Sequence, residues 1–107
     1  SKDKDGKRVF DVPEKKVMDI LNMAITVHDF EDGITTKLGD GRCAVLFTFD
    51  EDPSAGQFKF LTGSLSLKDT LNRAREAEKG GKKIFPVDNV VVKRKNLGNG
   101  KISYYFE

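Results

Sequence analysis

Lys37 and Arg42 stand on either side of a glycine-rich bend, "TTKLGDGR", with Thr35 and Thr36 leading into it. A tight hairpin needs Gly39, Asp40 and Gly41 for backbone angles that branched residues resist, but it has no need of flanking cations and hydroxyls. Those side chains suit anionic oxygens. Lys37 and Arg42 contact them as charges, Thr35 and Thr36 donate hydroxyl hydrogen bonds, and the glycines let backbone N–H groups come close. A second basic bend, "KRKNLGNGK", carries Arg94, Lys95 and Lys101, with no acid anywhere between Val90 and Lys101. The acids gather instead as Asp29-Glu31-Asp32 and Asp50-Glu51-Asp52, so a net charge of only +2 conceals a local positive field.

Other chemistries find little support in the spacing. His28, the one histidine, has no nucleophile at a readable distance, which argues against an enzyme. The run "DEDPSAG" places Asp50, Asp52 and Ser54 at alternate positions as a calcium loop does. It has Ala55 where the sixth-position glycine belongs and Leu61 where the bidentate glutamate belongs, so no metal site is expected. No GxxxxGK[ST] phosphate loop is present, and no cofactor is implied. Cys43, the single cysteine, lies in an apolar segment and reads as core.

Aromatic side chains are the other ingredient with a chemical use, because a flat ring is a platform for another flat ring. The chain has eight Phe and two Tyr. A period of two puts Phe47 and Phe49 on one face of their strand and Phe58 and Phe60 on one face of the next, without fixing which face is exposed. With Phe58 and Phe60 inward, Lys59 faces outward and joins the basic set. His28 and Phe30, leading toward the first basic bend, form a second candidate stacking pair, and Tyr104 or Tyr105 suits a wet surface because its hydroxyl tolerates water.

The elements that must position these residues follow from periodicity. At 107 residues the chain suits one domain, and the longest uncharged apolar run, Cys43 to Phe49, is far too short to span a bilayer. Residues 1–12 are charged and unpatterned and read as a flexible N-terminal arm ahead of a single domain over 13–107. The opening "SKDKDGKR" has no apolar signal region, so a cytoplasmic location is expected. Pro13 followed by Val17, Ile20 and Leu21 predicts a short helix. A first strand runs from about Met23 to the acidic residues 31–33, a second over 42–50 and a third over 57–62. A helix from about Leu67, capped by Ser64 or Ser66, ends at "KGGKK". Pro86 then introduces strand four, "VDNVVVKRK", and strand five, "KISYYFE", follows a tight turn in "NLGNG".

Three strands, a helix and two strands are the element order of an OB-fold, a five-stranded Greek-key barrel with its helix between strands three and four. The segments "HDFEDGITTKLGDGRCAVLFTF", "FKFLTGSLSLKDTLNRA", "FPVDNVVVKRK" and "ISYYFE" resemble the OB-fold single-stranded-DNA-binding proteins of phages and mobile elements. In those proteins a T-K-x-G-D turn joins the first two strands and a proline precedes strand four. The resemblance covers residues 23–107. It implies a mainly β barrel that binds single-stranded DNA with little sequence preference, in replication or recombination. There is no tryptophan here and no glycine-rich linker with an acidic tail, so recruitment of partners through such a tail is not implied.

On that reading the backbone of the strand is held by Thr35, Thr36, Lys37 and Arg42 from one loop, Arg94, Lys95 and Lys101 from the other, and Lys59 between them. His28, Phe30 and Tyr105 stack its bases. RNA, bound as cold-shock domains bind it, is a further partner to test. The rival from another class is a protein-interaction module that uses the same groove, or an open strand edge, for a peptide or a second copy of the chain.

Overall fold

The structure, a computed structural model, describes residues 10–37 and 39–107. Five strands, β1 (Ala24–Thr36), β2 (Gly39–Phe49), β3 (Phe58–Thr62), β4 (Val87–Gly98) and β5 (Lys101–Phe106), form one antiparallel sheet in the order β3-β2-β1-β4-β5. Two helices accompany it, α1 (Val17–Ile20) and α2 (Leu65–Lys79), with one 3-10 turn at Pro53–Ala55. The helix between strands three and four is therefore where the sequence places it. The expected closed barrel is not formed, and β3 and β5 remain the two edges of the sheet. Two local contacts occupy the seam instead of a ladder. Residues 13–15 run along the edge of β3, where Lys59 N donates to Pro13 O and Lys15 N donates to Lys59 O, at 3.0 and 2.8 Å. Ser64 Oγ donates to Tyr104 O at 3.0 Å, tying the start of α2 to β5.

The same pairing explains why the first helix is shorter than the spacing after Pro13 predicts. An edge strand with unpaired N–H and C=O groups is a strong competitor for a neighbouring chain, and residues 13–15 pair with it rather than begin a helix. Only Val17–Ile20 turn helically, delivering Ile20 into the core. Phe10, within the expected arm, accepts a hydrogen bond from Lys59 Nζ at 2.8 Å, while residues 1–9 lie outside the described residues.

The first strand is also longer than expected. It runs through Glu31, Asp32 and Gly33 by taking an irregular register between Glu31 and Ile34, where Gly33 adopts φ +74°. The acids that read as a strand end are instead tied to α2. Lys68 Nζ lies 3.6 Å from Asp32 Oδ1 and donates to Gly41 O at 2.7 Å, and Asn72 Nδ2 donates to Asp32 Oδ2 at 2.9 Å. Helix α2 is capped by Ser64 and stops at Gly80, and it buries Leu67 and Leu71 against the sheet. The second hairpin turns on Asn99 and Gly100 alone, both with positive φ, the geometry that matches the right-handed twist of the flanking strands.

The core answers which aromatics face inward. Phe47 and Phe60 are fully buried, with ring centroids 5.7 Å apart, and Phe49 and Phe58 pack beside them from the same face at 5.3 and 6.1 Å from Phe47. Ile25 of β1 and Val92 of β4 complete this layer. The register sets Leu46 opposite Lys59 and Ala44 opposite Leu61, so those four residues form the other face of β2 and β3. No helix among the described residues is long and apolar enough to cross a membrane.

Candidate binding groove

The seam between the edges of β3 and β5 opens into a groove of about 770 Å³. Its walls come from four places: the segment from Glu14 to Met18, the end of β3 with the loop into α2, Arg42 at the start of β2, and Leu97 with Ile102 to Tyr104 of the β4–β5 hairpin. Chain order alone does not bring these together. The antiparallel sheet does, because it sets β3 and β5 at its two edges and the twist carries those edges toward one another. Residues of the two expected basic hairpins therefore share one cavity.

Most of the lining is apolar. Met18, Leu65, Leu97 and Ile102 are among the few large hydrophobic side chains the surface exposes, and all four border this groove. Tyr104 Oη reaches across it to donate to Met18 Sδ at 3.4 Å. Lys15, Lys16 and Arg42 supply positive charge, and Glu14 is the one acid in the lining among the described residues. Lys15 is partly engaged, its Nζ standing 5.0 Å from the centre of the Phe58 ring. A second depression continues outward from the groove over Ser66, Leu97 and Ser103 and adds Arg94, Lys95 and Tyr105.

Arg42 holds an unusual place. Its Nε is shielded from solvent without a hydrogen-bond partner, and the guanidinium lies against the backbone at Gly63, where a Cβ would stand 3.2 Å from Nη1. Glycine at that position is what allows the close approach.

The other expected residues are distributed as follows. Lys37 is exposed at the first hairpin turn, Thr35 is half-buried near the end of β1, and Thr36 pairs with Gly39 across the turn. Neither Lys37 nor Thr35 borders the groove. Lys101 is exposed beside the Asn99–Gly100 turn and Lys59 is committed to Phe10, so neither lines it either. Arg94, Lys95 and Tyr105 lie together in the outer depression.

The stacking pair expected of His28 and Phe30 does not form. A register shift between Val27 and Asp29 turns Phe30 inward, where it is 4% exposed and covered by the Arg75 guanidinium at 4.6 Å and by Phe85 at 5.8 Å. His28 Nε2 lies 2.9 Å from Thr48 Oγ1 on the surface of β1 and β2.

Sequence reasoning missed the apolar walls. The available signal was Leu97 and Ile102, two large hydrophobes bracketing a polar turn. Cys43 is core, as read, and burial, assisted by the nearby negative Asp32, pushes its thiol from 9.0 up to about 12. A thiol held protonated in this way is no nucleophile.

A five-stranded antiparallel sheet with one helix between strands three and four, and a groove along its open seam, defines the structural class. The chain belongs to the family described as a domain of unknown function, DUF8468, which matches residues 11–107. No curated protein and no solved structure matches the chain.

Proposed function

We propose that this domain is a non-enzymatic single-stranded-DNA-binding module, an OB-fold left open between strands three and five, acting in the replication or recombination of a phage or mobile element in the cytoplasm. The strand order supports the fold: β3-β2-β1-β4-β5 is the order obtained by cutting a five-stranded OB barrel at the β3–β5 seam. The observation that carries the function is the groove itself, apolar along its walls and positive at its margins.

Unstacked bases need flat or apolar surface, and Tyr104, Tyr105, Leu97 and Ile102 offer it. Phosphates need exposed cations, and Lys16, Arg94 and Lys95 offer those with no acid paired to them among the described residues. A duplex, whose bases are already stacked, gains nothing from the apolar walls.

Fluorescence anisotropy with labelled single-stranded and duplex oligonucleotides at two salt concentrations tests this. Single-stranded DNA is expected to bind tighter than duplex and to weaken as salt rises, and an RNA of the same sequence measures the discrimination between the two sugars. Equal or absent binding of single strand and duplex refutes it.

A second reading, a protein-interaction module, draws support from the exposure of Leu65 at 78% and Met18 at 54%. It expects an apolar contact insensitive to salt, with a peptide or a second copy of the chain in the groove.

A further inference from the structure

One cation of the groove differs from the others. Lys16, Arg94 and Lys95 are exposed and hydrated, whereas Arg42 is half-buried with its Nε sealed from water and unpartnered. Packing on Gly63 holds it there, since among the described residues its guanidinium has no hydrogen bond or carboxylate partner. With Nε sealed, the Nη side of the guanidinium, which no acceptor among the described residues occupies, is the part left to meet a ligand that brings acceptors. Its surroundings bear on which acceptors. Leu61, Leu97 and Ile102 wall the same groove, and these surfaces suit a flat base better than a hydrated phosphate.

We propose that Arg42 reads guanine, giving a domain otherwise tolerant of sequence one preferred base. This rests on the single-strand reading above. Guanine presents two acceptors, O6 and N7, side by side on one edge, which matches the planar fork of a guanidinium. Adenine sets a donor beside its N7, and thymine sets a methyl group beside its O4. Cytosine also has an adjacent acceptor pair, on a smaller ring that covers less of the apolar wall. The exposed cations at the margin then serve the phosphates on either side, a division of labour in which backbone contacts position and one edge contact specifies.

The test is an anisotropy series on the whole chain with oligothymidylate of about 15 nucleotides, a length that covers an OB-fold site. The same strand is then used with one central guanine, one central cytosine, or the deaza analogue of guanine that lacks N7. The guanine strand is expected to bind roughly tenfold tighter than oligothymidylate, within the discrimination of a bidentate arginine pair, and the analogue to lose most of that gain. Arg42→Lys keeps the charge without the fork, so it should abolish the guanine gain with little change for oligothymidylate. Gly63→Ala, which presses a methyl group on Nη1, should shrink the gain. Circular dichroism establishes that each variant is folded, and the analogue series on the unmodified chain reports whether or not they are.

Equal binding of guanine and thymine strands overturns the assignment, as does a gain from cytosine in its place. An equal loss for every strand in Arg42→Lys also overturns it, making Arg42 a phosphate contact. Failure of every strand to bind overturns the single-strand reading itself, whereas uniform binding removes only the guanine preference.

Discussion

Replacing Arg94 and Lys95 together by Ala should flatten the salt dependence of oligothymidylate binding without abolishing binding. Among the basic residues around the groove and its outer depression, Lys15 is engaged over the Phe58 ring and Arg42 is wedged at Gly63, which leaves Lys16, Arg94 and Lys95 exposed for phosphates. Each phosphate neutralised on a single strand contributes about −0.7 to the slope of log affinity against log salt, so three contacts give about −2.1. Raising salt about fourfold then weakens the native protein roughly 20-fold. With only Lys16 left, the slope falls to about −0.7 and the same change costs between about two- and threefold. Anisotropy titrations at four or more salt concentrations measure both slopes. Identical slopes for the two proteins would mean that the β4–β5 hairpin does not touch phosphate. A flat native slope would remove the electrostatic argument and favour a protein ligand.

Lys37→Ala, at the exposed turn outside the groove, should leave the slope nearly unchanged, and a drop of a full contact would place the β1–β2 turn on the ligand after all. Ser64→Ala removes both the cap of α2 and the tie to Tyr104 O, and should cost about 1–2 kcal/mol in urea unfolding. Arg75→Ala breaks an ion pair with Asp29 at 2.6 Å and uncovers Phe30, for an expected loss of about 1.5–3 kcal/mol by the same assay. A loss near zero would mean that solvent already screens the pair. Cys43 should resist thiol reagents until the protein unfolds. Its folded pKa lies above the unfolded value, so the unfolded state releases its proton first, and the thiol lowers stability as pH rises from 9.0 toward about 12, with no effect below that window. Rapid labelling of the native protein would refute its burial.

Periodicity carried the sheet because most of its strands are patterned on the face they bury. The Asn99–Gly100 turn is readable from residues that admit positive φ, while residue type places a cap at Ser64 or Ser66 and a stop within "KGGKK", of which the structure uses Ser64 and Gly80. What failed depended on partners distant in sequence. Nothing within residues 13–16 says that the edge of β3 will claim them as an extended strap. The inward turn of Phe30 depends on a register shift that alternation by itself does not reveal. Two of the expected site residues, Lys59 and Phe30, were spent on structure, the first holding residue 10 and the second lying beneath Arg75. Arg42, Arg94, Lys95 and Tyr105 do gather around one groove and its continuation.

The seam between β3 and β5 is where the fold and the proposed function meet. Its Lys59 end is sealed by residues 13–15, and the start of α2 is tied to β5 by Ser64, so closure is local and leaves the stretch beside Leu61 and Gly63 uncovered. Around that opening stand Met18, Leu65, Leu97 and Ile102, four exposed hydrophobes from three different parts of the chain. Scattered, such residues are ordinary surface, but converging on one groove they carry a solvation cost that folding alone does not relieve. A ligand that covers them relieves it. The cations at the margin favour a ligand that is anionic along its length, and the unpaired Arg42 favours one that brings acceptors into an apolar slot. A single strand of nucleic acid, with charge on its backbone and flat bases beside it, meets all three requirements at once.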